Sequence, residues 1–285
     1  MSKKQYAVIG HPIGHTMSPF IHNRLFALSG IDAEYSVIDV APEKLKTAYA
    51  EILSRLDGFN ITIPHKRAII PYLSALDKKA SLYGSVNTVD SSGKGYTTDP
   101  DGFLKALSVH GIKPDGNVVI VGTGGVARTM AFEAAKAGGS IVIAVRREDI
   151  HMAAELACEI MGKTIHPSVS TCYIDRIEKL DKDIDLLINA TPVGMYPDID
   201  QMPVSEKIIG ECHAVFDAVY NPLQTKLVTT AKAMGKKAIG GMSMLVWQAV
   251  AAHEIWDGST YDLKDIEQLC LDVSEELKKT FGSPV

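Results

Sequence analysis

The sequence predicts an α/β protein whose second half is a parallel sheet of the Rossmann type. Residues 118–121 (VVIV) form the continuous apolar run that is typical of a strand buried on both faces. A glycine-rich turn follows, then a helical pattern over residues 128–137 and a second apolar strand at residues 141–145. Strand, glycine turn, helix and strand in this order make one βαβ unit. The length of 285 residues is enough for about two domains.

Short strands and helices alternate on both sides of this unit. We predict an N-terminal α/β domain over residues 1–100 and a Rossmann-type domain over residues 101–241. A largely apolar helix over residues 241–253 and an amphipathic helix over residues 263–277 end the chain. Because these helices come after the second domain closes, we expect residues 242–285 to pack back on the first domain.

Composition excludes several classes of protein. Lys and Arg number 29 against 34 Asp and Glu, a net charge of -5 without a basic block, so we expect no nucleic-acid partner. The N-terminus lacks the long apolar region of a signal peptide, and no apolar run reaches membrane-spanning length. The four cysteines show no C-x-x-C spacing, which suits a reducing cytoplasm. His11, His15 and His22 lack acidic or cysteine partners at ligand spacing, so we predict no metal site.

The first predicted strand, residues 6–9, leads into a segment with candidate anion ligands. Ser18 and Pro19 predict a helix start, with serine as the N-cap and proline in the first turn. Ser18 could serve as a cap and nothing more. The free N–H groups and positive dipole of a helix N-terminus, together with the hydroxyls of Thr16 and Ser18, also suit a carboxylate. Gly30 ends the helix.

A lysine at the mouth of a predicted strand is the first candidate for proton chemistry. A strand at residues 33–40 and a helix over residues 43–56 precede the segment NITIPHK at residues 60–66. Its apolar and polar residues alternate as in a strand, and Pro64 ends that strand before Lys66. Lys66 could act on a small oxygenated substrate at this rim, or it could be an ordinary solvated lysine.

Two further polar positions follow in the first half of the chain. Asn87 lies in a predicted strand over residues 84–90, where a half-buried amide needs hydrogen-bond partners from the backbone or from a ligand. Asp99 precedes Pro100 at a predicted helix start, where it could be a cap. Asp99 and Asp101 are both candidate acids, and the pattern does not rank them.

The glycine turn at residues 122–127 (GTGGVA) is G-x-G-x-x-A between a strand and a helix. The glycines permit a tight turn and the close approach of a pyrophosphate to the helix N-terminus, so we predict a bound dinucleotide. Arg146 and Arg147 end the second strand, where an acidic residue favours NAD and an arginine favours NADP. Glu148 and Asp149 follow and make the charge pattern mixed, but the position of the arginines favours NADP.

Polar segments also follow two later predicted strands. The strand at residues 184–188 leads to residues 189–195 (NATPVGM), and the strand at residues 214–216 leads to residues 217–225 (DAVYNPLQT). Ligands of open α/β sheets bind at the carboxyl ends of the strands, which favours a functional role for these segments. Simple turn chemistry at their prolines and glycine is the alternative.

Seven segments occur together in one order along nearly the whole chain. They are HPIGHTMSP (11–19), NITIPHK (60–66), GSVNTV (84–89), TTDPDG (97–102), GTGGVAR (122–128), NATPVGM (189–195) and GMSMLVWQ (241–248). This set resembles the shikimate dehydrogenase family, and the number of segments makes the match specific. The resemblance implies an N-terminal substrate domain, an NADP-binding Rossmann-type domain, and the reduction of 3-dehydroshikimate to shikimate with NADPH. We expect a monomer or a homodimer with a small-molecule substrate.

The resemblance also implies roles for particular residues. Lys66 and Asp99 would form the catalytic pair and contact the substrate, which ranks Asp99 above Asp101. The other substrate ligands would be Thr16, Ser18, Thr62, Asn87, Tyr220 and Gln248. The cofactor would be held by Gly122, Gly124, Gly125, Val126, Ala127, Arg146, Arg147, Thr191, Ala218 and Gly241.

Four positions depart from the family pattern. Thr16 replaces the usual serine, Thr98 replaces the usual asparagine before the aspartate, and Val145 and Arg147 replace the neighbours of the usual arginine, which Arg146 keeps. The retained arginine favours NADP, with NAD as the alternative.

Two other functions stay open from the sequence alone. One is a quinate or dual quinate/shikimate dehydrogenase that uses NAD, because a single extra hydroxyl discriminates weakly unless the site is built to bond it. The other is a non-catalytic sensor of a shikimate-like ligand. The presence of both Lys66 and Asp99 argues against the sensor, which needs no acid–base pair.

Overall fold

The computed structural model describes residues 3–14, 16–165, 168–180 and 183–281. The chain divides into two compact units. One comprises Met1–Gly102 and Val246–Glu275, and the other comprises Phe103–Leu245 and Glu276–Val285. Both units combine strands and helices, so the predicted α/β class is confirmed.

The first unit is built on a mixed sheet. Its strands in the described chain are β1 (Lys4–Gly10), β2 (Ala33–Asp39), β3 (Gly58–Ile61), β4 (Ala75–Leu76), β5 (Thr88–Asp90) and β6 (Lys94–Tyr96). They lie in the order β2-β1-β3-β5-β6-β4. Strand β1 pairs in parallel with β2 and β3, as β4 does with β6, whereas β5 is antiparallel to both β3 and β6. The helices are α1 (Ser18–Ser29), α2 (Leu45–Glu51), α3 (His65–Ala68), α4 (Lys78–Tyr83) and the start of α5 (Asp99–Val109).

Strand β1 lies between β2 and β3, and its side chains are buried on both faces. Ile9 packs with Phe59 on one face, and Tyr6 packs with Phe26 on the other. The ring of Trp256, from the C-terminal part of the chain, is tilted against the ring of Tyr6, with the two ring centroids 4.7 Å apart. Trp256 and Tyr6 belong to the same compact unit. That residues 242–285 as a whole pack on the first domain stays a prediction.

The helix predicted over residues 43–56 is wrong as one continuous element. The chain forms a 3-10 turn at Pro42–Lys44, then α2, then a second 3-10 turn at Leu53–Arg55. Ile52 leaves the helical conformation, with φ -124° and ψ -62°. The tighter turn that follows brings Leu53 into the core, where it is 1% exposed.

The second unit is a parallel sheet covered by helices. Its strands in the part of the chain that the structure describes are β7 (Asn117–Val121), β8 (Ser140–Val145), β9 (Ser168–Tyr173), β10 (Ile184–Asn189), β11 (Cys212–Asp217) and β12 (Lys237–Gly240). The helices are α6 (Gly125–Lys136), α7 (Ile150–Lys163), α8 (Glu206–Glu211) and α9 (Lys226–Ala233), after which come α10 (Met242–Asp257) and α11 (Leu263–Phe281). The strand order β12-β11-β10-β7-β8-β9, with every pair parallel, is that of a Rossmann fold. The predicted Rossmann-type domain is confirmed.

The strand order reverses at β7 and β10, which lie side by side at the middle of the sheet. Open α/β sheets bind ligands beyond the carboxyl ends of the strands at such a reversal. In this unit the segments that leave those two strand ends begin at Gly122 and Ala190. The topology therefore places the glycine turn where a dinucleotide is expected.

The conformation of this turn yields a prediction about stability. Gly122 has a φ of +113°, and a Cβ atom there would lie 3.0 Å from Thr191 Cγ2 and 3.1 Å from the Ala190 carbonyl oxygen. We expect Gly122→Ala to lower the free energy of unfolding by about 1–3 kcal/mol through backbone strain. Urea unfolding without added cofactor measures this loss.

Gly124→Ala is the matched control in the same turn. Gly124 has a φ of -65°, and a Cβ atom there would meet nothing within 4 Å. We expect this variant to change the free energy of unfolding by less than about 0.5 kcal/mol. Equal losses in the two variants would contradict the assignment of strain to Gly122.

Candidate active site

An ion pair between Lys66 and Asp99 lies in the first unit. Lys66 is in the first turn of α3, directly after the turn that ends β3, and Asp99 is the first residue of α5. Lys66 Nζ donates to Asp99 Oδ2 at 2.6 Å, and the two side chains are 29% and 19% exposed. This arrangement puts a proton donor and an acceptor in contact at a site that a small molecule can reach.

Asn87 fixes the second oxygen of the Asp99 carboxylate. The buried Asn87 amide donates to Asp99 Oδ1 at 2.9 Å, while its own oxygen accepts from the Thr98 N–H at 2.8 Å. Gln248 Oε1 lies 3.5 Å from the same amide nitrogen and 3.4 Å from Thr98 Oγ1. Four predicted site residues, Lys66, Asn87, Asp99 and Gln248, therefore meet in one hydrogen-bonded group.

The structure separates the two aspartates that the sequence pattern left unranked. Asp99 pairs with Lys66, whereas Asp101 pairs with Lys79 of α4. The two carboxylates lie in one helical turn but meet different lysines. Asp99 also accepts from the Asn87 amide and so belongs to the group around Asn87. Its ranking above Asp101 as the catalytic acid stays a prediction.

The backbone on both sides of Lys66 is held from within the unit. The fully buried His65 ring lies with Nε2 at 2.6 Å from the Val40 carbonyl oxygen. The Lys66 carbonyl accepts from the Val86 N–H at 2.8 Å, next to Asn87. The lysine therefore leaves a constrained turn, which limits the directions in which its side chain can extend.

Thr16 and Ser18 lie together at the start of α1. The Ser18 N–H donates to Thr16 Oγ1 at 3.2 Å, and the Thr16 hydroxyl donates to Ser18 Oγ at 3.1 Å. The prediction that Ser18 is the N-cap is wrong, because Ser18 is the first helical residue and Met17 occupies the cap position without a side-chain bond. Thr16 satisfies the Ser18 N–H instead. Two hydroxyls at the N-terminus of a helix are suitable ligands for a carboxylate.

Thr62 follows the end of β3. Its N–H donates to the Ile9 carbonyl at 2.9 Å, and its side chain is half-buried. Tyr220, the remaining predicted substrate ligand, belongs to the second unit and is also half-buried. Burial raises the pKa of the Tyr220 hydroxyl, so it is a neutral hydrogen-bonding group at pH 7.

The space next to the glycine turn of the second unit, at the start of α6, is open. Gly124 is the cap residue of this helix, Gly125 begins it, and a Cβ atom at either would meet nothing within 4 Å. The first intrahelical bond runs from the Arg128 N–H to the Gly124 carbonyl, so the N–H groups of Gly125, Val126 and Ala127 have no partner within the helix. Such N–H groups and the helix dipole are suited to bind a pyrophosphate.

Arg146 and Arg147 follow β8 and form ion pairs with different acidic residues. Arg146 is 67% exposed and pairs with Asp149 at 2.8 Å and Glu148 at 3.2 Å. These acids raise the pKa of the Arg146 guanidinium further above its ordinary value. Arg147 pairs with Asp175 at 2.9 Å. Both arginines line a cavity of about 550 Å³, a suitable size for a ribose and its base.

Three more predicted cofactor ligands lie beyond β10 and β11. Thr191 follows β10, and its hydroxyl donates to Asn189 Oδ1 at 2.6 Å. Ala218 follows β11, and Gly241 packs against it so closely that a Cβ atom there would lie 2.3 Å from the Ala218 carbonyl oxygen. Only glycine fits that position without a shift of the backbone.

A buried carboxylate, Asp217, ends β11 beside these positions. It is fully buried and accepts hydrogen bonds from Asn189, Val219 and Thr225. Burial raises the pKa of Asp217 to about 6, against the effect of the three hydrogen bonds. Sequence reasoning noted a polar residue at this strand end but missed its bonding partners, which a local pattern does not contain.

No cluster of three His, Cys, Asp or Glu side chains suited to a metal occurs within residues 3–14, 16–165, 168–180 and 183–281. The ring of His11 lies with Nδ1 at 2.6 Å from Asp39 Oδ1, and His22 is buried against His253. His15 lies outside the described residues. No helix in the described chain is long and apolar enough to span a bilayer.

Comparison with known proteins shows which family this chain is similar to. A family model described as the shikimate dehydrogenase substrate-binding domain matches residues 8–89. The NADP(+) shikimate dehydrogenase of Methanocaldococcus jannaschii is 40% identical over 279 residues, which cover 94% of this chain and 96% of the relative. The enzyme of the same name from Moorella thermoacetica is 40% identical over 88% of this chain and 87% of its own length.

Solved structures give the same result for the fold. Shikimate 5-dehydrogenase from Thermus thermophilus, in complex with NADP(H) and shikimate, has a TM-score of 0.81 at 31% identity and covers 95% of this chain and 99% of that one. The Listeria monocytogenes enzyme, in complex with shikimate and NAD, has a TM-score of 0.85 at 31% identity, covering 94% and 96%.

The raised pKa of Asp217 predicts a pH dependence of stability. The pKa of this carboxyl is about 6 in the folded protein, whereas its ordinary value is 3.8. Asp217 therefore holds its proton more tightly in the folded protein than in the unfolded chain. Its contribution to stability is therefore greatest below about pH 4 and falls as the pH rises towards 6. We expect the free energy of unfolding of the wild type, minus that of Asp217→Asn, to fall between pH 4 and pH 7.

Urea unfolding of both proteins at intervals of one pH unit measures this difference. The full shift corresponds to a change on the order of 2–3 kcal/mol. Subtraction of the Asp217→Asn values removes the effects of the other titrating groups. A difference that stays constant over this range would show that Asp217 keeps an ordinary pKa.

Proposed function

Because the chain belongs to the shikimate dehydrogenase family, we propose that it catalyses the reversible, NADP-dependent reduction of 3-dehydroshikimate to shikimate. It is an oxidoreductase that acts on a CH–OH group in the shikimate pathway of aromatic amino acid biosynthesis. The observation that carries the proposal is the contact of Lys66 with Asp99 at 2.6 Å, in a site that also holds Asn87 and Gln248.

The first unit supplies the substrate ligands in this proposal. Thr16 and Ser18, at the N-terminus of α1, bind the substrate carboxylate. Thr62, Asn87 and Gln248 contact the ring hydroxyls, which both donate and accept hydrogen bonds as the amide groups do. Tyr220 is a further proposed substrate ligand, and its hydroxyl is neutral at pH 7.

Lys66 and Asp99 handle the proton. Bound NADPH supplies a hydride to the ketone carbon of the substrate, and negative charge then develops on the ketone oxygen. Lys66 Nζ stabilises this charge and supplies the proton, because a positioned cation is the strongest nearby donor. Asp99, held by Asn87, keeps Nζ in place and offsets its charge. In the direction of shikimate oxidation the same group accepts the proton.

The second unit holds the cofactor. The N–H groups of residues 125–127 bind the pyrophosphate, and Gly122 allows the chain to turn beneath it. Arg146 and Arg147 bind the 2′-phosphate, because a guanidinium suits a phosphate dianion, which favours NADP over NAD. Thr191, Ala218 and Gly241 lie at the nicotinamide end.

Two further properties belong to the same proposal. The protein acts in the cytoplasm, which is consistent with the absence of a disulfide among its four cysteines, Cys158, Cys172, Cys212 and Cys270, all of them within the described residues. It is a monomer or a homodimer, and light scattering on a sizing column decides between the two.

A spectrophotometric assay tests the activity. We expect shikimate-dependent reduction of NADP, followed by absorbance of the reduced cofactor, at a kcat/KM well above that with quinate. Repeating both reactions with NAD measures the cofactor preference, which we expect to favour NADP. Binding of shikimate without turnover would show a sensor, and faster turnover of quinate with NAD would show the other dehydrogenase.

The role of Lys66 predicts a particular kinetic loss. Lys66→Met keeps the length and most of the packing of the side chain but removes its charge and its donors. We expect kcat to fall by about 10²–10⁴-fold while the KM for shikimate changes far less, because the lost contact forms mainly in the transition state. Steady-state kinetics at saturating NADP measure both constants.

Lys79→Met is the matched control for this variant. It removes a lysine from the same unit that pairs with Asp101, two positions from Asp99 in the chain. We expect both kinetic constants to stay within about twofold of the wild type, since a surface ion pair contributes little. An unchanged kcat in Lys66→Met would remove Lys66 from the mechanism.

A further inference from the structure

Asp217 is a fully buried carboxylate to which the proposed chemistry assigns no task. It ends β11 and stands opposite Asn189, the last residue of the neighbouring strand β10. Burying a carboxylate destabilises a protein unless strong hydrogen bonds compensate. We therefore ask which segments of the chain the Asp217 carboxylate holds in place.

Three donors surround this carboxylate. Oδ1 accepts from Asn189 Nδ2 at 2.9 Å and from the Val219 N–H at 3.0 Å. Oδ2 accepts from the Thr225 hydroxyl at 2.6 Å. Asp217 thus joins the end of β10 to both ends of the segment over residues 217–225.

The partners of Asp217 extend this network. Asn189 Oδ1 accepts from both the N–H and the hydroxyl of Thr191, at 3.1 and 2.6 Å, and its amide also donates to the Val193 carbonyl at 3.1 Å. Thr225 Oγ1 accepts from the Val228 N–H at 3.2 Å and so begins α9. One buried group of side chains therefore sets the course of both segments that leave β10 and β11.

All three positions proposed for the nicotinamide end attach to this network. Thr191 is bonded directly to Asn189. The Ala218 N–H donates to the Asn189 carbonyl at the end of β10 at 2.9 Å, and the N–H of the next residue, Val219, donates to Asp217 Oδ1. Gly241 donates its N–H to the Val219 carbonyl at 3.0 Å and packs on Ala218. Residues 122–127 and the two arginines make no hydrogen bond to Asp217 or Asn189 within the described parts of the chain.

We propose that Asp217 is a positioning residue that holds the Thr191 and Ala218 segments in the geometry required by the nicotinamide end of NADP. This inference rests on the proposed function, because the ligand at these segments is the cofactor of that reaction. The carboxylate accepts from all three donors at once. In asparagine the amide nitrogen that faces Thr225 cannot accept, so the Thr225 hydroxyl has to turn and accept from the amide while it still accepts from the Val228 N–H, and the bond that the hydroxyl donated to Asp217 is lost.

Binding measurements with two ligands test this proposal. NADP has the nicotinamide, whereas 2′-phosphoadenosine 5′-diphosphoribose lacks it and keeps the rest of the cofactor. We expect Asp217→Asn to weaken NADP binding about tenfold, the effect of losing roughly one hydrogen bond. The Kd of the diphosphoribose, measured in the same calorimetric titrations, should stay within about twofold.

Asp185→Asn is the matched control within the same sheet. Asp185 lies in β10 and accepts from the Asn117 N–H at 2.7 Å, at the other end of the strands. We expect its replacement to leave both Kd values unchanged. This variant also loses a carboxylate that bonds to a neighbouring strand, so it controls for a general loss of order in the sheet.

Thr225 provides a second route if Asp217→Asn does not fold. Thr225→Val removes the hydroxyl that bonds to Asp217 and keeps the shape of the side chain. Thr225→Ser keeps the hydroxyl. We expect the valine variant to weaken NADP binding selectively and the serine variant to bind like the wild type.

The outcomes separate this inference from the proposed function. Selective weakening of NADP in Asp217→Asn or Thr225→Val supports it. Equal weakening of both ligands, or no weakening of either, overturns it while the proposed function stands. A wild type that binds neither ligand would overturn the proposed function and the inference together.

Discussion

Lys66 and Asp99 stand 33 positions apart in the chain, and their side chains meet at 2.6 Å. A lysine–carboxylate pair with this exposure contributes little to stability when it stands alone. Here the pair is held from both ends, because Asn87 bonds the far oxygen of Asp99 and the Lys66 carbonyl accepts from the Val86 N–H, next to Asn87. The geometry of the first unit's site depends on this pair, since Thr98 and Gln248 contact the amide that holds Asp99.

The same physical device occurs in both units. In each, an asparagine beside a strand donates its amide to an aspartate and uses its oxygen to hold the neighbouring chain. Asn87 does this for Asp99, and Asn189 does it for Asp217. The two carboxylates differ in exposure. Asp99 can meet a ligand, whereas Asp217 is fully buried and serves the backbone around it.

Local patterns were sufficient for much of this architecture. The apolar strand, glycine turn and helix at Gly122 are consecutive in the chain, so their periodicity predicts them directly. The lysine after Pro64 is also a local feature. What the pattern does not contain is which groups meet across the fold. Asp99 meets Lys66 and Asp101 meets Lys79, and no local pattern predicts which lysine reaches which aspartate. The network of Asp217 was missed for the same reason, and the break at Ile52 follows from how Leu53 packs.

Whether Lys66 and Asp99 act as one unit is the central claim, and a double-mutant cycle on kcat tests it most directly. The cycle compares Lys66→Met, Asp99→Asn and the double variant with the wild type at saturating shikimate and NADP. If the pair acts as a unit, the double variant loses no more activity than the worse single variant, because each change alone already disables the pair. Losses that multiply in the double variant would show two independent contributions and contradict the account.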